Sequence, residues 1–70
     1  MNEDKRLICE LFADVLKLTR AGSDIDVIQY MKTPDGIELA SIWFMNGAEK
    51  TVNVTCDSGI AMIRDIARAL

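Results

Sequence analysis

The chain has 70 residues, 8 basic and 11 acidic, with a net charge of −3, no histidine, and half of its side chains hydrophobic. That length allows one domain, residues 1–70, which buries only about 60% of the area exposed by its unfolded form, so its core is thin. The acidic balance lacks the dense basic footprint that nucleic acid demands, and no run approaches the roughly 18 apolar residues of a membrane span, so neither partner is expected. The opening M-N-E-D-K-R leads into a helical pattern rather than an apolar core with a small-residue cleavage site, so a cytoplasmic location is expected.

Residues 3–20 read as a helix. At 100° per residue, Leu7, Leu18, Leu11, Val15, Ile8, Phe12, Leu16 and Cys9 fall on one broad arc, while Arg6, Lys17, Glu10, Glu3 and Asp14 take the rest. The arc is wider than one packed sheet needs. Asn2 is the expected N-cap and Gly22 the expected stop.

Residues 25–32 alternate as a strand, with Val27 and Met31 on one side and Ile28 and Tyr30 on the other. T-P-D-G at 33–36 is a turn, because Pro34 pre-sets φ and Gly36 accepts a positive one. A three-residue loop there sets Met31 opposite Leu39, Gln29 opposite Ser41, Val27 opposite Trp43 and Ile28 opposite Ile42. Asn46-Gly47 signals a second hairpin, and a two-residue loop would pair Leu39 with Val54 and Ser41 with Val52. In T-V-N-V-T-C the expected inward residues are Val52, Val54 and Cys56. Asp57 or Ser58 then caps a helix over 59–70, whose apolar side carries Ile60, Met62, Ile63, Ile66, Ala67 and Leu70.

The fold class expected is α+β: a two-layer α-β-β-β-α domain with a three-stranded antiparallel meander and both helices on one face. The middle strand, I-E-L-A-S-I-W-F-M at 37–45, is apolar on both faces, so a second surface needs cover. Both turns put the odd-numbered residues, including Trp43, toward the helices. Ile28, Tyr30, Ala40, Ile42 and Phe44 are then a contiguous free patch, expected to be a protein interface.

Catalysis is not expected, since the commonest general base and metal ligand is absent. Asp24 with Asp26 read as solvated loop carboxylates, since hard-cation sites need six or more oxygens; Glu10 with Asp14 have a spacing that could serve two-carboxylate chemistry, but Arg6 and Lys17 flank them, so they read as a solvated charged face. Cys9 and Cys56 lack metal or redox spacing and read as reduced core residues. Asn53-Val54-Thr55 matches a glycosylation sequon without a secretory signal to use it. Tyr30 and Phe44 lack the surrounding basic residues of base-stacking sheets. No cofactor or metal is expected. The function expected is a non-enzymatic cytosolic protein-binding domain of the regulator, adaptor or inhibitor kind, whose partner is itself, as a homodimer, or another protein. Alternatives are a structural subunit of a larger assembly, of phage or mobile-element origin on size and acidity, and a small-molecule binder with a pocket near Trp43 and Gln29.

Overall fold

The computed structural model describes residues 3–70. The element order is α1 (Lys5–Leu16), β1 (Ile25–Lys32), β2 (Glu38–Phe44), β3 (Glu49–Asn53) and α2 (Gly59–Arg68). The strands form an antiparallel sheet in the order β1-β2-β3, which gives the expected α-β-β-β-α, α+β fold. Asp4 caps α1, its Oδ1 accepting from the Leu7 N–H at 3.0 Å, while Asn2 lies outside the described residues. The helix stops at Leu16, short of the expected residue 20. Thr19 takes over there: its hydroxyl donates to the Leu16 carbonyl at 2.6 Å and accepts from the Gly22 N–H at 3.0 Å, a local bond that competes with further helix.

The first hairpin has the expected register, with Met31 opposite Leu39, Gln29 opposite Ser41 and Ile28 opposite Ile42. The second does not. Its loop holds three residues, Met45, Asn46 and Gly47, closed by the Phe44 N–H donating to the Ala48 carbonyl at 2.9 Å. A two-residue loop of the favoured type needs positive φ at both Asn46 and Gly47. Only Gly47, at +87°, has it, and Asn46 instead accepts from the Ala48 N–H at 3.0 Å. The register moves by one residue: Leu39 faces Asn53, Ala40 faces Val52 and Ser41 faces Thr51.

That shift turns the sheet over. With Val52 and Val54 toward the helices as expected, β2 must present its even residues beside them. The core is accordingly Ile28, Ala40 and Ile42 from the sheet, Val54 just after β3, Cys9, Ala13 and Leu16 from α1, and Met62 and Ile66 from α2. Ile25 joins it because an extra residue at Asp26 breaks the pairing between Ile25 and Val27 and brings Ile25 to the helix side. Ser58 caps α2, its Oγ accepting from the Ala61 N–H at 3.1 Å, and the Glu3 carboxylate accepts from the Gly59 N–H at 2.8 Å. Lys50, on the helix side of β3, donates to the Ala69 carbonyl at 2.8 Å and closes the other end of α2. Ile60, expected on the packed side of α2, is 78% exposed.

Candidate functional site

Ile28, Tyr30, Ala40, Ile42 and Phe44, expected as the free interface, lie on the helix-covered face. Ile28 is 3% exposed, Ala40 and Ile42 are fully buried, and Tyr30 and Phe44 pack half-buried against the same cluster. The uncovered face is the other one. Across it run Val27, Gln29 and Met31 of β1, Leu39, Ser41 and Trp43 of β2, and Glu49, Thr51 and Asn53 of β3. Trp43 and Leu39 are half-buried on its middle strand, two residues to either side of Ser41; Val27 and Met31 opposite them are exposed, as are Ile37 and Met45 just beyond the ends of β2. Trp43 points away from the helices, so the ligand pocket expected between helices and sheet does not include it, whereas Gln29 borders an open trough between β1 and the Arg6 and Glu10 side chains of α1.

Ser41 lies under this open face, 1% exposed, and its hydroxyl has no hydrogen-bond partner. Gln29 and Thr51 flank it from the neighbouring strands. A second apolar surface runs along the outer side of α1 and into the turn after it, where Leu7, Leu11, Val15 and Leu18 recur every three or four residues and are all exposed. This is the excess of the arc that was too wide for one sheet.

The polar cluster of the molecule sits at one end of the sheet around Glu38, which the sequence did not single out. Its Oε2 accepts from Lys5 Nζ at 2.6 Å and from the Tyr30 hydroxyl; its Oε1 accepts from the Cys56 N–H at 3.1 Å. The Lys5 ammonium foremost, then the Tyr30 hydroxyl and the Cys56 N–H, hold the Glu38 carboxyl down to about 2. The carboxylate in turn pushes the Tyr30 hydroxyl up to about 12. One group stays ionised and the other protonated throughout the neutral range, so the pair moves no proton near pH 7 and acts as a clamp. An open cleft of about 750 Å³ beside it mixes Lys5, Arg6 and Lys32 with Glu3, Asp4 and Asp57.

Cys56, expected in the core, is exposed and adopts a φ of +63°. Its backbone N–H is aimed at the Glu38 carboxylate at 3.1 Å. Cys9 is buried, its thiol 4.0 Å from the Met62 sulfur and pushed up to about 11 by desolvation. Both cysteines are free. At the start of α2 the Asp57 carboxyl is pushed up by the neighbouring Asp65 carboxylate, whose own titration is lowered by the same contact. Among the described residues no three His, Cys, Asp or Glu side chains are grouped to hold a metal ion, and no helix is long and apolar enough to cross a membrane. Comparison with protein-family models, with curated proteins and with solved structures finds no match to this chain.

Proposed function

We propose that the chain is a small non-enzymatic, cytoplasmic protein-binding domain of the regulator, adaptor or inhibitor kind, acting through its open sheet face. One observation carries this: Trp43 and Leu39 lie half-buried on the middle strand of an uncovered face, with exposed Val27 and Met31 opposite them and exposed Ile37 and Met45 just beyond the strand's ends. Uncovered sheet faces that expose large apolar side chains are where soluble proteins meet partners, and a half-exposed Trp is the residue type that most often anchors such contacts. The test is a photo-reactive residue at position 43, compared with one at position 67 on the exposed side of α2, irradiated in the native cell. Protein adducts of defined mass are expected from position 43 alone, and Leu39→Glu should abolish them. Equal adducts from both positions, or none from position 43, overturn the proposal.

The protein also fits a structural subunit of a larger assembly. That alternative draws on the stripe Leu7, Leu11, Val15 and Leu18, which gives the molecule a second apolar surface on the side opposite the open sheet face.

A further inference from the structure

We propose that β1 is the seam of a symmetric homodimer: two copies join edge to edge, antiparallel, with Gln29 facing Gln29 on the twofold axis, into one six-stranded sheet. This names a partner for the protein-binding domain and rests on that reading.

The two edges of the sheet differ. β3 is five residues long and opens with Glu49 and Lys50, which is how edge strands are protected from unwanted pairing. β1 is eight residues long, has no proline, and carries charge only at Asp26 and Lys32. Its outer side is unpaired: among the described residues, no backbone hydrogen bond from a loop or another element reaches it. An open trough of about 450 Å³ runs along that side between residues 27–31 and the Arg6 and Glu10 side chains of α1.

Backbone geometry allows the pairing. The Thr33 N–H donates to the Ile37 carbonyl at 2.8 Å, so by alternation the odd residues of β1 bond to β2. The backbone groups of Ile28, Tyr30 and Lys32 therefore point outward. Centred on Gln29, the outward residues of one copy meet outward residues of the other, Ile28 against Tyr30, while Val27 meets Met31 on the open face. Asp26, the extra residue of the bulge at the end of the regular pairing, then neighbours Lys32 of the second copy at both ends. Centring on Ile28 would leave Asp26 against Tyr30, and centring on Tyr30 would leave it against Pro34, so charge selects the Gln29 register. Val27 and Met31, 42% and 46% exposed in one copy, cover each other across the seam. The contact is self-complementary and uses up both β1 edges, leaving only the protected β3 edges outside, so assembly closes at two copies.

The test uses the full chain. Sedimentation should show a wild-type dimer at micromolar concentration. Asp26→Lys or Lys32→Asp alone sets like charges together at both ends and should weaken association about tenfold or more, and the double swap should restore it. Both positions are exposed, so the melting temperature of each variant should match wild type at concentrations where both are monomeric. With Cys56→Ser removing the exposed thiol, Gln29→Cys should oxidise to a covalent dimer. Opposed residues of the non-hydrogen-bonded kind lie about 4.5 Å apart between Cα atoms, within disulfide reach. A wild-type monomer at high micromolar concentration, a dimer indifferent to the single swaps, or failure of the double swap to rescue overturns the seam. None of these variants alters Trp43 or Leu39, so photo-adducts from position 43 that persist without a dimer would refute the seam and leave open-face binding standing.

Discussion

Lys5 in α1 and Glu38 in β2, 33 residues apart in sequence, meet at 2.6 Å between Nζ and Oε2. With Tyr30 on the same oxygen, the pair fastens the first turn of α1 to the start of the middle strand. Glu38 is held to about 2 against an ordinary value of 4.5, so its carboxylate contributes stability that is present above pH 4.5 and is lost as pH falls toward 2. Tyr30 is raised from 10 to about 12, so its contribution is present below pH 10 and is lost as pH rises toward 12. Melting temperature followed by circular dichroism should fall in both windows. Glu38→Gln should lower it at pH 7 and flatten the acid limb. A melting temperature insensitive to pH between 4.5 and 2 would contradict the clamp.

Substitutions at adjacent positions of β2 should separate its two faces. Ile42 is fully buried under the helices, whereas Trp43 is half-buried on the open side. Ile42→Ala should cost about 2–5 kcal/mol, and Ile42→Asp should unfold the domain by burying an unpaired charge. Trp43→Ala should cost about 1–2 kcal/mol. Denaturant titration gives the order, and a larger loss at Trp43 than at Ile42 would reverse the faces.

The two thiols should react very differently. Cys56 is exposed and Cys9 is buried with its thiol pushed up to about 11, and the thiolate is the reactive form. A water-soluble thiol reagent under native conditions should label one cysteine within minutes and the second only on unfolding. Peptide mapping should place the fast label at Cys56. Two fast labels, or an intact mass two units low, would contradict the buried, unbridged Cys9.

Ser41→Ala should leave stability unchanged or raise it by up to about 1 kcal/mol, because it removes a buried hydroxyl that has no partner. Ser41→Val adds bulk beneath the open face and should instead lower the melting temperature. Loss of stability on Ser41→Ala would mean that the hydroxyl is satisfied in solution.

Element order, the first hairpin and its register, and the inward placement of Val52 and Val54 were all legible, because proline, glycine and strict alternation leave few options there. The orientation of the sheet turned on a single conformational choice at Asn46. Asn tolerates both positive and negative φ, so the dipeptide Asn46-Gly47 serves either a two-residue loop or a three-residue one. The shorter loop exchanges the two faces of β2, and with them the interface residues. Internal consistency favoured the longer loop: the face holding Trp43 also carries Gln29, Ser41, Thr51 and Asn53, too many polar groups for a core. Glu38 was hidden for another reason. Its partners Lys5, Tyr30 and Cys56 come from three separate segments, and no spacing rule links them.

Gly22 sets a limit on how this chain can vary. Its backbone folds back over the end of α1, where a Cβ would stand 2.5 Å from the Leu16 carbonyl oxygen. The obstacle is a backbone atom, not a flexible side chain, so no rotamer change relieves it. In a saturation library, asparagine should survive at Gly36 and Gly47, where open space surrounds a positive φ, whereas position 22 should accept glycine alone.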